Sequence, residues 1–184
     1  CCPIEATNSL IVVGQPNYPR GRAMRTSDAG KEFIKDFEGC KLEAYQCSGG
    51  SWTIGYGHTR NVQEGDKITN KEADAFLVKD IEMVEVHVDR LVNVHLLRHE
   101  WDAIVSWCFN LGCGNLRAST MLQVINSGDL DKVSEQIIRW DKVGKKAVAG
   151  LTRRRKAEAQ LFDDAVYDHK PKESKPKAKA KSNG

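Results

Sequence analysis

A carboxyl, a thiol and a hydroxyl stand close together in this sequence, on Glu38, Cys47 and Thr53. Glu38 follows the apolar Phe37 and precedes Gly39, at the end of an amphipathic run. Partial cover at such a position favours the neutral carboxylic acid, the form that donates a proton. Cleaving a glycosidic bond requires a donor of this kind. It also requires a second group, on the other face of the sugar, that activates water or attacks directly. The segment just downstream offers Tyr45, Cys47, Thr53, Tyr56 and His58 for that second role. Taken by itself, a glutamate at a helix end is an ordinary solvated residue, so its meaning depends on the elements around it.

Those elements are readable. Ser27 or Asp28 can cap a first helix whose Phe33, Ile34 and Phe37 share one face until Gly39 ends it. Ser48-Gly49-Gly50-Ser51 is a turn signal between Ala44-Tyr45 and Trp52-Thr53-Ile54, which predicts a small hairpin. Thr69 followed by Glu72 matches a capping box. Ala73, Phe76, Leu77, Ile81, Val84, Val88 and Leu91 continue it as a long amphipathic helix. Trp101 to Asn110 is apolar on more than one face, as a helix buried on most sides should be, and further helices fit 118–126, 130–140 and 152–166. One hairpin ahead of many helices predicts an α+β fold, a small β-hairpin subdomain packed on a mainly helical body. The junction between the two parts is the natural place for a cleft.

Composition narrows the function classes. Residues 169–184 hold six lysines and one glutamate, so the net charge of +3 becomes −2 for the remainder of the chain. The folded body is not basic, and no nucleic-acid partner is expected. No stretch reaches the length of a membrane span. Leu10-Ile11-Val12-Val13 reads as a short strand or hydrophobic anchor within an irregular, proline-containing arm over 1–25. The expected organisation is that arm, a catalytic domain over 26–168, and a disordered Lys-rich tail over 169–184. The chain starts at Cys1 without methionine, which points to a processed or trimmed start, or to the remnant of a lost export signal or anchor. Six cysteines allow up to three bridges in 15 complete pairings, and no CxxC pair suggests a zinc or thioredoxin-like site. No metal and no cofactor are expected, and the working unit is expected to be a monomer.

From Phe37 onward the chain resembles the phage-type lysozymes of glycoside hydrolase family 24. The family signature is Glu, eight residues, Asp or Cys, five residues, Thr; here it reads Glu38, Cys47, Thr53 and continues Thr53-Ile54-Gly55-Tyr56-Gly57-His58. Two further blocks agree in order: Phe109-Asn110-Leu111-Gly112 with Ser119-Thr120, and Gly150-Leu151, Arg153-Arg154, Ala157-Glu158 and Leu161-Phe162. The resemblance implies a lysozyme-like fold and a phage-encoded, exported muramidase acting on peptidoglycan in the periplasm or cell wall during host lysis. It assigns Glu38 as the acid and Thr53 as a residue positioning water or substrate, with His58 structural behind the hairpin. Thr59, Phe109 and Ser119 fall near cleft positions, or serve packing and capping.

Cys47 departs from the commoner Asp. A thiol holds water poorly unless its pKa falls, whereas a thiolate nucleophile would give a covalent intermediate and retention; the residues leave both routes open. The resemblance to secreted signal-anchor endolysins also implies a redox switch. A Cys40–Cys47 bridge would cage the thiol, and Cys1 or Cys2 would release it by pairing with Cys40. Alternatively these cysteines are simply reduced. The rival functions are a lytic transglycosylase giving 1,6-anhydro products, a non-catalytic wall-binding relative, and a cysteine peptidase or amidase pairing Cys47 with His58. The lysine tail is either a solvated run or an attachment to an anionic membrane or wall surface.

Overall fold

The computed structural model describes residues 24–47 and 49–167. Its first helix, α1 (Asp28–Glu38), begins where its cap predicts: the Ser27 hydroxyl accepts the Gly30 amide at 3.0 Å. Gly39 ends it at φ 66°, a left-handed value that suits glycine, and its amide bonds to Lys35 O at 3.1 Å. The cap is anchored from outside the helix. Asp102, fully buried, accepts the Ser27 amide at 3.0 Å, the Ser27 hydroxyl and the Tyr167 hydroxyl at 2.8 Å. A Cβ at position 30 would lie 2.6 Å from Asp102 Cγ, so only glycine permits this approach. The start of α1 is thereby fixed on the body, with Glu38 about 15 Å away at its other end.

The hairpin follows as β1 (Lys41–Gln46) and β2 (Trp52–Gly55), antiparallel, with Tyr45 opposite Thr53 and Gln46 opposite Trp52. The next loop returns along β1, through Ala44 N–H to Asp66 O and Ile68 N–H to Leu42 O, both at 2.9 Å. Helix α2 (Asn70–Leu91) opens with both halves of the capping box in place, the Thr69 amide on Glu72 Oε2 at 2.8 Å and the Glu72 amide on Thr69 Oγ1 at 3.3 Å.

Helix α3 (Arg98–Leu111) is the central element, with every residue from Glu100 to Cys108 buried. It packs on α1, α2 and the last helix, α7 (Ala149–Asp164). Trp107 is sealed in this core, edge-on to Trp140 at 5.1 Å between ring centroids. The architecture is α+β, a small β-hairpin packed on a mainly helical body, as the sequence predicts.

Three boundaries differ from the expectation. The helix expected over 118–126 is α5 (Thr120–Ser127), capped by Ser119 and preceded by a separate α4 (Cys113–Ala118). Gly112, at φ 88°, turns the chain between α3 and α4, and Ser119 turns it again. The segment 130–140 divides into a 3-10 turn (Leu130–Lys132) and α6 (Val133–Ile138). Helix α7 starts earlier than residue 152, because the chain before it folds into a tiny hairpin, β3 (Lys142–Val143) and β4 (Lys146–Ala147), turning at Gly144. Among the described residues no helix is long and apolar enough to cross a membrane. Residues 1–23 of the expected arm, including Cys1, Cys2 and residues 10–13, and the tail from 169 lie outside the described residues.

Candidate active site

Glu38 closes α1, where unpaired carbonyls make the helix end electronegative and a carboxylate is unwelcome. The body compensates with Arg154 of α7, whose Nη1 reaches Glu38 Oε1 at 2.5 Å. Both side chains are largely covered, Arg154 5% and Glu38 16% exposed. Arg154 is itself braced: Nε donates to Glu158 Oε1 at 3.0 Å and Nη2 to Ser106 O at 3.2 Å, while its guanidinium lies over the Phe37 ring. Burial works against its charge, but Glu38 and Glu158 outweigh that and hold its pKa above the ordinary guanidinium value. Glu158, fully buried, also accepts Arg155 Nη2 at 3.0 Å and the Ser106 hydroxyl at 2.8 Å, and Arg155 Nε lies 2.9 Å from its Oε2 as an ion pair. The covered position expected for Glu38 is present, but its closest partner is a buried cation, not an apolar wall.

Cys47 sits at the hairpin tip, half-exposed and unbridged. Its amide bonds to Ser51 O at 3.0 Å, and its carbonyl accepts Gly50 N–H at 2.8 Å. That tight turn aims backbone donors at the sulfur. The Gly49 amide and then the Ser51 amide, with the Thr53 hydroxyl after them, pull the thiol below its usual pKa against the opposing effect of burial. Thr53, with no exposed surface, keeps its hydroxyl within 3.2 Å of Ser51 O as well. Cys40 is exposed and also a free thiol, so the Cys40–Cys47 bridge is not formed in this structure. Cys1 and Cys2, the exchange partners in the switch, fall outside the described residues.

Tyr45 connects the two halves. It stands opposite Thr53 across the hairpin, with the Lys41 ammonium 3.9 Å from its ring centre. Burial raises its pKa, and the neighbouring charges of Cys47 and Glu38 raise it further. Thr53 thus stands opposite this phenol, and the charges of Glu38 and Cys47 both reach it.

The remaining candidates are placed elsewhere. His58 Nδ1 lies 2.8 Å from Asp80 Oδ2, its ring stacks on Phe76 at 4.5 Å, and its backbone pairs with Ile54. It lines a cavity of about 640 Å³ against α2 whose walls include Phe76, Asp80 and Met83, but not Glu38, Cys47 or Thr53. Thr59 follows it, half-buried. Phe109 is half-buried at the end of α3, packed against the core. Ser119 is 5% exposed, and its hydroxyl donates to Leu116 O at 2.7 Å and accepts Leu122 N–H at 3.1 Å, which caps α5.

Sequence reasoning quoted Arg154 and Glu158 as part of a block but gave them no role. The signal was available, since the run Arg153-Arg154-Arg155 with Glu158 one turn later, on a helix that also carries Leu151, Leu161 and Phe162, implies a buried ionic cluster. Their partner, 116 residues away, was not legible.

The chain matches the family described as phage lysozyme over residues 35–158. It is 42% identical over 146 residues to an endolysin of Acyrthosiphon pisum secondary endosymbiont phage 1, covering 77% of this chain and all of that protein. A SAR-endolysin of Enterobacteria phage P21 is 34% identical over 125 residues, 67% of this chain and 76% of its own. Among solved structures, the muramidase domain of SpmX from Asticaccaulis excentricus superimposes with a TM-score of 0.71 at 37% identity, over 75% of this chain and 97% of that one.

Proposed function

Because the chain belongs to the phage lysozyme family, we propose that it is a peptidoglycan muramidase, hydrolysing the β-1,4 bond between N-acetylmuramic acid and N-acetylglucosamine. The observation that carries this reading is the convergence of an Arg154-held carboxyl, Glu38, with a thiol cradled by backbone donors, Cys47. In the reaction Glu38, as the acid, protonates the leaving glycosidic oxygen. Cys47, as thiolate, accepts a proton from the attacking water on the opposite face, and the Thr53 hydroxyl orients that water. Arg154 holds the Glu38 side chain in place and offsets the carboxylate left after the proton is given. Ser119 serves as the cap of α5, Phe109 packs on the core, and His58 holds the hairpin to α2 through Asp80.

The protein acts as a phage-encoded, exported monomer on the host wall, in the lytic step of infection. Residues 26–168 form its catalytic domain, and the lysines beyond 169 draw it to an anionic surface. Removing those lysines should weaken lysis more at low salt than at high salt, because ions screen long-range attraction.

The deciding experiment follows new reducing ends on purified peptidoglycan, with borohydride reduction and mass spectrometry of the products. Hydrolysis gives reducible muramic ends that are lost in Glu38→Gln and strongly reduced in Cys47→Ser. Anhydro ends would replace this reading with transglycosylation. Full activity in Cys47→Ser would remove the thiol from the mechanism.

A further inference from the structure

Charge is divided unevenly along the chain. Residues 1–168 carry a net −2, yet the stretch from Arg139 to Lys156 holds eight basic side chains and one acid, Asp141. Arg154 and Arg155 are buried and answered by Glu38 and Glu158, which leaves Arg139, Lys142, Lys145, Lys146, Arg153 and Lys156 exposed. Among the described residues none of these six forms an ion pair, and Asp141 is engaged elsewhere, its Oδ2 accepting the Thr152 hydroxyl at 2.8 Å. The β3–β4 hairpin displays the centre of the patch: Lys142 stands opposite Ala147, Val143 opposite Lys146, and Lys145 follows Gly144 in the turn. Both strands are exposed, and Val143, at 67%, shows more surface than any other large apolar side chain described. The hairpin is tied to the catalytic helix. Val148 N–H bonds to Asp141 O at 2.9 Å, and α7 begins at the next residue, Ala149. Arg154, which holds Glu38, lies roughly 8 Å further along that axis. Between them the Arg153 guanidinium lies 5.5 Å from the Phe37 ring centre.

We propose that this hairpin binds the peptide stems of peptidoglycan, with Lys142, Lys145 and Lys146 meeting their carboxylates and Val143 their alanine methyl groups. The inference rests on the muramidase reading and deepens it, by naming the part of the substrate that this surface takes. The sugar hydroxyls and acetamido groups of a glycan strand are uncharged; its carboxylates belong to the stems on muramic acid. A strand held with its glycosidic bond at Glu38 therefore carries a stem within reach of the hairpin at the start of α7. A soluble polyphosphate would meet the lysines but leave Val143 bare, whereas a stem offers both kinds of group. Exposed ion pairs are individually weak and screened by salt, so the grip adds up over three lysines and is released readily after cleavage.

The test measures, by sedimentation, binding of the full chain carrying Glu38→Gln to insoluble sacculi, before and after an amidase has removed the stems. That substitution keeps the strands whole during the measurement. Stripping the stems is expected to weaken binding at least about tenfold, the combined scale of three exposed ion pairs. Adding Lys142→Gln, Lys145→Gln and Lys146→Gln should cost about tenfold on intact sacculi and nothing further on stripped ones. Lys71→Gln, Lys79→Gln and Lys132→Gln together remove the same charge from exposed positions elsewhere and should leave binding nearly unchanged. All variants keep the lysine tail, so its contribution is common to them. Equal losses in the two triple variants would overturn the proposal, because diffuse charge would then account for the binding. So would undiminished binding to stripped sacculi, or a hairpin-dependent loss seen only with vesicles of anionic phospholipid. The readout is retention without cleavage, so its failure is distinct from failure of the muramidase reading, which is judged on reducing ends.

Discussion

The charges of Glu38 and Cys47 both reach Tyr45, but the two groups are held by opposite kinds of surroundings. On the helical body, Glu38 belongs to a chain of charges, Arg154, Glu158 and Arg155, almost wholly removed from water. On the hairpin, Cys47 is half-exposed and answers to the amides of a short turn. Charges taken out of water lose several kcal/mol of hydration each and persist only while every partner is in place. Such a cluster is brittle but exact in direction. Backbone donors in a turn act more weakly, yet they survive most side-chain changes. In the proposed mechanism the donor of the proton is fixed by the first method, and the acceptor is tuned by the second.

Breaking the comparison on the body side should give the largest effects. Glu38→Gln removes the proton but leaves Arg154 an oxygen to bond; kcat is expected to fall by about 10²–10⁴-fold with little change in the unfolding midpoint. A variant retaining more than a tenth of wild-type activity would show that another group is the acid. Glu158→Ala should be the most damaging to folding, about 3–5 kcal/mol in urea unfolding, because it strands two buried guanidiniums. A loss near zero would mean that water or a shifted side chain replaces the carboxylate.

On the hairpin side the expected change is in pH dependence. The Cys47 pKa lies below that of a free thiol, so the thiolate forms as pH rises through that lower value and is lost as pH falls through it. The rising limb of kcat/KM should therefore inflect below the usual thiol value of about 8.5. Replacing Cys47 with Asp should move that limb several units further toward acid, towards a carboxylate value near ~4. An unmoved limb would mean that it belongs to a different group. The smallest effect is expected at the far end of α1. Ser27→Ala removes the helix cap for about 1 kcal/mol, read as a lower unfolding midpoint with catalysis retained.

What the sequence showed and what it hid divides along the same line. The ends of α1, the capping box of α2, the hairpin and the buried α3 were legible because each is written in neighbouring residues: Ser27 and Gly39, Thr69 and Glu72, the Gly49-Gly50 turn, and the tryptophans of α3. The Glu38–Arg154 pair was not, since charge pairing over such a separation leaves no local pattern. The division between α4 and α5 was hidden for another reason: Ser119 both ends one helix and caps the next, so the segment reads as one. The β3–β4 hairpin was missed because Lys142 to Lys146 is nearly all polar and exposed, with no alternation to betray a strand. The favourable setting of the Cys47 sulfur was equally invisible, because it is made by amides that every sequence contains.

The buried carboxylate of Asp102 also has a topological meaning. It holds Ser27, where the chain enters the domain, and Tyr167, close to where the described chain leaves it. The two ends of the described segment therefore meet at Asp102, behind a helix that carries Glu38 at its opposite end. In engineering terms the described chain closes into a ring at this clasp. A chain reopened at the exposed Gly144-Lys145 turn and spliced across the clasp would change the order of its elements while leaving Glu38, Arg154 and Cys47 in their places.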